Sequence, residues 1–136
     1  MIKLNLQFFG GGSSRGRFPG TQGGRDALPN HANAQIDINK IVNYALNPNH
    51  PEGGNKARVF ESALGFNQSN ANQLIASIRE QLPNSRAIPG RLDQHGQRFT
   101  VDMLIVGPNG RTVIVRTGWI IDIGSTVPRL LTTYVP

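Results

Sequence analysis

Residues 98–135, RFTVDMLIVGPNGRTVIVRTGWIIDIGSTVPRLLTTYV, hold most of the β-branched residues of the chain and its single tryptophan. Phe99, Val101, Met103 and Ile105 fall on one face by alternation, the period of two expected of a half-buried strand. Gly107-Pro108-Asn109-Gly110 then lets the chain reverse, because proline fixes φ and Asn and Gly tolerate positive φ. From Arg111 to Ile121 a second strand puts Val113, Val115, Thr117, Trp119 and Ile121 on one face and Arg116 on the other. After a loop over 122–128, Arg129-Leu-Leu-Thr-Thr-Tyr-Val reads as a third strand. Thr132 and Tyr134 share one of its faces, with Arg129 and Thr133 opposite. A chain with this C-terminal half is committed to an antiparallel meander.

Ahead of the meander the period changes from two to that of helices. Ile38, Ile41, Val42, Ala45 and Leu46 form an apolar stripe behind Asp37, a good N-cap, and Asn47-Pro48 ends it. A second helix is expected from about Asn55 to Leu64, with Ala57, Phe60, Ala63 and Leu64 inward and Gly65 as its stop. A third is expected over 70–82, with Leu74, Ile75, Ile78 and Leu82 inward, before Pro83. Residues 83–97 read as loop with at most a short edge strand. The predicted fold is therefore α+β: three N-terminal helices packed on a C-terminal antiparallel sheet of three to four strands.

Residues 1–35 differ in composition. Gly/Ser tracts dominate them, and four basic residues (Lys3, Arg15, Arg17, Arg25) face one acid (Asp26). With little apolar surface to offset ordering entropy, this segment is expected to be a flexible basic arm, and 36–136 a single domain. The arm reads either as a spacer or as an RGR-bearing segment that touches nucleic acid or a partner. Leu4, Leu6, Phe8 and Phe9 have the makings of a docking peptide. The opening KLNLQFFGGGSSRG closely resembles the leader of many phage-encoded proteins of Gram-positive bacteria.

Charge narrows the partners. The 136 residues carry 14 Lys+Arg against 8 Asp+Glu, a net charge of +6, with a pI near 10.8. Such a balance favours a polyanionic partner. Most of the cations are arginines, whose planar fork suits phosphate. Having no cysteine, the chain lacks disulfides, zinc-finger ligands and a thiol nucleophile. No run approaches the roughly 18 apolar residues of a membrane span, and the N-terminus lacks a signal peptide's apolar centre. Export by that route and membrane insertion are not expected.

Few constellations could carry chemistry. His50-Pro51-Glu52-Gly53-Gly54-Asn55-Lys56 places a histidine and a lysine across a turn into a helix start, where free N–H groups attract anions. It is not a P-loop, since GxxxxGK[ST] is absent. His50 beside Lys56 suits acid–base work on a phosphodiester; the alternative is a loop histidine with no role. Arg116, amid apolar neighbours, must reach solvent or a partner. With Thr132 and Tyr134 it would make a cationic, hydroxyl-bearing sheet face, or else an ordinary solvated one. No His and carboxylate pair has metal spacing, so neither metal nor cofactor is expected.

Two motifs extend this reading. Tyr44-x-Leu46, His50-Pro51-x-Gly53-x-x-Lys56-Ala57, Phe60 and Leu64-Gly65-Phe66 are followed by Gly110, Trp119 and Pro128-Arg129-Leu130-x-Thr132-x-Tyr134. In this order they resemble a domain family of uncharacterised function found in bacterial and phage proteins, over about residues 38–136. That family is similar in layout to the barnase/EndoU/colicin/RelE-like nucleases. The resemblance implies a toxin- or effector-type endoribonuclease that cleaves RNA without metal through a 2′,3′-cyclic phosphate. His50 would be the acid–base residue. Lys56 and Arg116 would stabilise phosphate charge, and Thr132 and Tyr134 would position the phosphate or share proton transfer. Arg15, Arg17, Arg58 and Arg129 would contact the nucleic acid. The expected partners are RNA and an immunity protein or a virion protein, in the cytoplasm of a bacterial host or on a virion. The alternative is a non-catalytic phage accessory module that binds nucleic acid or a virion component.

Overall fold

The computed structural model describes residues 26–136. Its centre is a long hairpin. Strand β2 (Gly96–Val106) pairs antiparallel with β3 (Thr112–Asp122) along its whole length, from Gly96 opposite Asp122 to Val106 opposite Thr112. The turn forms as its residues dictate. Gly110 takes φ 85°, the Gly110 N–H donates to the Gly107 carbonyl at 2.9 Å, and Asn109 Oδ1 accepts from the Arg111 N–H at 3.0 Å. Strands β1 (Ala87–Asp93) and β4 (Pro128–Tyr134) complete a four-stranded antiparallel sheet in the order β1-β2-β3-β4.

Residues expected to be mostly loop thus include a seven-residue edge strand. Pro89 and Gly90 conceal it in the sequence, yet a proline is tolerated at a sheet edge, and here the pairing slips between Pro89 and Leu92. Strand β4 also departs from simple alternation. Its register shifts so that Trp119 faces Leu130 while Gly118 faces Thr132, leaving Leu131 as a bulged residue. Downstream of the bulge the faces exchange. Leu130 and Thr133 are buried, whereas Arg129, Thr132 and Tyr134 stand opposite Ile120, Gly118 and Arg116 on the outer face. Arg129 was expected on the face of Thr133; the bulge places it with Thr132 and Tyr134.

Among the described residues, three main helical segments, with short 3₁₀ turns between and before them, precede the sheet. The first is irregular: a single α turn, Ile38–Lys40, runs into a π-helical turn, Ile41–Ala45; the two are called α1. Asp37 caps it as expected, accepting from the Asn39 N–H at 2.9 Å, and the Leu46 N–H reaches back five residues to the Ile41 carbonyl at 2.8 Å. Helix α2 (Gly54–Leu64) ends at Gly65 with φ 85°, the left-handed stop that glycine provides. Helix α3 (Ala71–Gln81) passes into a 3₁₀ turn, Leu82–Asn84, containing Pro83.

The core lies between the helices and one sheet face. Phe60, Leu64, Phe66, Leu74 and Ile78 meet Val101, Met103, Val115, Trp119 and Leu130 there, all nearly or fully buried. The domain also reaches further towards the N-terminus than expected. Leu28 and Ala34 are buried in the core, the Ala87 N–H donates to the Asp26 carbonyl at 2.7 Å, and Gln35 bridges to β4 through Pro128 and Leu130. The stretch 26–35, assigned to the arm by composition, packs on the domain through these few contacts. The leader, Arg15 and Arg17 lie outside the described residues. Among the described residues no helix is long and apolar enough to cross a membrane.

The hairpin turn is docked on the end of α2. The Asn109 N–H donates to the Leu64 carbonyl at 3.2 Å, and a Cβ on Gly107 would lie 2.0 Å from that same oxygen. Both partners are backbone, so neither can swing aside. Gly107→Ala is expected to destabilise the domain by at least about 1–3 kcal/mol, the range for overpacking. A urea unfolding midpoint equal to that of the parent protein would contradict this docking.

Candidate functional site

His50 organises the start of α2. Its carbonyl accepts the Gly54 N–H at 2.9 Å, and its ring nitrogen Nδ1 accepts the N–H groups of Glu52 and Gly53, each at 3.0 Å. The imidazole therefore braces the turn that leads into α2. With Nδ1 occupied as an acceptor, the neutral ring carries its proton on Nε2. The ring also packs on Tyr44, 4.2 Å between centroids at 52°. Gly53 fits beneath Tyr44, because a Cβ there would come within 3.1 Å of its ring.

Arg58 holds the same turn from the helix side, donating to Asn55 Oδ1 at 2.6 Å and to the Pro48 carbonyl at 3.0 Å. Asn49, His50, Glu52, Asn55 and Arg58 border a polar cleft of about 360 Å³. The cleft lies at the start of α2, beside the Gly-Gly-Asn-Lys sequence.

Lys56, in the first turn of α2, points elsewhere. Its Nζ lies 4.4 Å above the ring of Tyr134, a cation–π contact. Tyr134 is the cross-strand partner of Arg116, so Lys56, Tyr134 and Arg116 form one row at the end of β4. Thr132 is next along the same face, its methyl group against Gly118, where a Cβ would lie 2.9 Å from it.

Arg116 is not free. Asp102, opposite it on β2, accepts from Nε at 2.8 Å and from Nη2 at 3.0 Å. Arg129 is held likewise by Asp122, at 2.7 and 3.1 Å. Arg116 and Arg129 are thus both neutralised by aspartates, whereas Lys56, reaching Tyr134 from α2, forms no ion pair among the described residues. The Asp102 carboxylate, and after it the Tyr134 hydroxyl, hold the Arg116 guanidinium above its ordinary range. In return, the hydrogen bond from Arg116 holds the Asp102 carboxyl below its own.

That pairing has a pH consequence. A carboxyl whose pKa is lowered by folding contributes stability that is present above its unfolded value of about 3.9 and is lost as pH falls through the native value. Asp102→Asn should therefore lose less stability than the parent between pH 6 and pH 3, measured by urea midpoints. The difference will be small, because both side chains are 40 % exposed and solvent screens such pairs. An identical acid loss in both proteins would contradict the pairing.

Of the residues singled out by sequence, the fold joins Lys56, Tyr134, Arg116 and Thr132 in one row. His50 makes no direct contact with Arg116; Tyr44 links its turn to β4. That tyrosine packs on His50 and also lines a second cavity together with Thr132. Sequence reasoning did not select Tyr44 or Asp102 as site residues. Asp102 was within reach, since pairing outward from the Pro-Asn-Gly turn sets it opposite Arg116. No group of three or more His, Cys, Asp or Glu among the described residues could hold a metal ion.

A family model described as "Domain of unknown function (DUF6883)" matches residues 27–136. Among solved structures, a chain of a "Contact-dependent growth inhibition toxin - immunity protein complex from Klebsiella pneumoniae 342" superposes with a TM-score of 0.59 at 17% identity. The match covers 77% of this chain and 95% of that one, and the likeness is one of fold. No curated protein matches the chain.

Proposed function

The chain belongs to the DUF6883 domain family, and from that premise we propose that it is a toxin-type endoribonuclease that cleaves RNA without a metal, through a 2′,3′-cyclic phosphate. The observation that carries the reading is the row of Lys56, Tyr134 and Arg116, set six residues along the chain from a histidine whose Nδ1 is tied to backbone. The fold it shares with a chain of a growth-inhibition toxin–immunity complex supports the toxin-type role.

In this mechanism the ribose 2′-hydroxyl gives its proton to water as its oxygen bonds to phosphorus, and the bond from phosphorus to O5′ breaks as O5′ takes a proton back from water. His50 acts as a neutral hydrogen-bond donor: with Nδ1 engaged as an acceptor, Nε2–H is the donor available to the charge developing on the leaving O5′. Lys56 is the mobile cation that meets charge developing on the phosphoryl oxygens. Arg116 acts through the donors that Asp102 leaves unused, and with Asp102 it fixes Tyr134. Thr132 and Tyr134 position the phosphate and share in proton transfer. Arg58 and the basic arm, with Arg15 and Arg17, add sequence-independent attraction that weakens with salt. Such an activity belongs in the cytoplasm of a bacterial host and calls for an immunity protein in the producing cell.

The test is end-group analysis of labelled RNA incubated with the full chain in excess EDTA. Cyclic-phosphate ends are expected. Intact RNA at micromolar protein would overturn the reading in favour of a non-catalytic module that binds nucleic acid or a virion component.

A further inference from the structure

A second cavity, of about 250 Å³, lies between α1 and the edge of β4, bounded by Lys40, Tyr44, Leu131, Thr132 and Thr133 among others. Four independent features meet there. The π-helical turn Ile41–Ala45 widens α1 where Tyr44 reaches the cavity; such turns recur at functional sites. Thr133 is 3 % exposed, yet its hydroxyl has no hydrogen-bond partner among the described residues. A buried polar group left unpaired is costly and asks for a reason. Gln35 pairs with the outer edge of β4 only as far as Leu130, so from the bulged Leu131 onward that edge offers backbone donors and acceptors. Finally, Lys40 is exposed at the rim and forms no ion pair among the described residues.

We propose that this cavity is a nucleobase subsite: one base of an RNA strand lies against Tyr44, its polar edge meets the Thr133 hydroxyl and the open backbone of β4, and Lys40 takes the neighbouring phosphate. The proposal rests on the ribonuclease reading above and names what that site would select. Walls that are mainly apolar, with a few convergent polar groups, are the usual make-up of a small-ligand site, and the volume suits a single base better than a larger ligand. RNA is read through unstacked bases placed on aromatic rings and hydrogen-bonded along their edges. Tyr44 ties the subsite to the chemistry, because the same ring packs on His50. A base seated there would bring its own phosphate towards Nε2.

The experiment is titration of the full chain with the four nucleoside 3′-monophosphates, using ribose phosphate and inorganic phosphate as base-free controls. At least one nucleotide should bind ten-fold or more tightly than either control. Thr133→Val should weaken that nucleotide about ten-fold while its melting temperature stays level or rises, since an unpaired hydroxyl has been removed. Thr133→Ser should restore binding, and Tyr44→Ala should remove the preference for nucleotide over ribose phosphate. Nucleotides binding no better than the base-free controls, or a Thr133→Val protein with unchanged affinity, would overturn the subsite. The two readings fail separately. RNA cleaved with no nucleotide preference sinks the subsite alone, and nucleotide binding with intact RNA sinks the catalytic reading alone.

Discussion

His50→Asn is expected to leave the domain folded and to lower RNA cleavage by about 10²–10³-fold, the usual contribution of one positioned hydrogen-bond donor to developing negative charge. The substitution separates two jobs that one ring performs. Asparagine Oδ1 sits on Cγ as histidine Nδ1 does, so it can go on accepting the N–H groups of Glu52 and Gly53. Nothing in asparagine replaces Nε2–H. His50→Ala would remove both, and should add a stability loss of about 0.5–1.5 kcal/mol, the net worth of a typical hydrogen bond. The readouts are initial cleavage rate and melting temperature for the three proteins side by side. If His50→Asn cleaves RNA at the parent rate, the imidazole serves only the turn, and the donor to the leaving oxygen must be sought elsewhere.

The second large effect falls on stability. Trp119 is fully buried, and its indole N–H donates to Thr117 Oγ1 at 2.8 Å, while that hydroxyl donates to the Val101 carbonyl at 2.8 Å. Truncating a large buried aromatic costs about 3–5 kcal/mol, from lost transfer energy and the cavity left behind. Small domains have only about 5–15 kcal/mol in all. Trp119→Ala should therefore lower the melting temperature by roughly 12–20 °C or prevent folding. Trp119→Phe keeps most of the ring but leaves Thr117 one partner short, and should cost about 1–3 kcal/mol. A Trp119→Ala protein within about 1 kcal/mol of the parent would mean that the core is not centred on this residue.

Where local physics decided the structure, the sequence was legible. Alternation over Phe99–Ile105 and Val113–Trp119 foretold the hairpin and its buried face, Pro-Asn-Gly foretold the turn, and Asp37 and Gly65 marked helix ends. Where tertiary contacts decided it, the sequence misled. The edge strand β1 is masked by Pro89 and Gly90. The segment 26–35 has the composition of a linker but is held by Leu28, Ala34 and a few backbone bonds. The bulge at Leu131 left one trace, the adjacent pairs Leu130-Leu131 and Thr132-Thr133, which break a period of two. That single residue decides which hydroxyls face outward.

The candidate site divides in the same way. Lys56 and Tyr134 could be singled out by residue type, but their 4.4 Å approach depends on how α2 sits at the end of β4. Arg116 looked like a free cation because its partner is fourteen residues away in the chain. Once the hairpin register is known, Asp102 follows. Tyr44 gave no sign of its role, since its two neighbours, the His50 ring and the cavity beside β4, are joined only by the fold.

One convergence is required for such RNA cleavage: His50 and the Lys56–Tyr134 row must face a single phosphodiester. The direct measurement is chemical-shift mapping of the full chain with a non-cleavable 2′-deoxy dinucleotide. Saturable shifts with one common affinity are predicted for the His50 imidazole, the Lys56 side chain and the Tyr134 ring. Shifts confined to Lys56 and Tyr134, with the His50 imidazole unmoved at saturation, would contradict it.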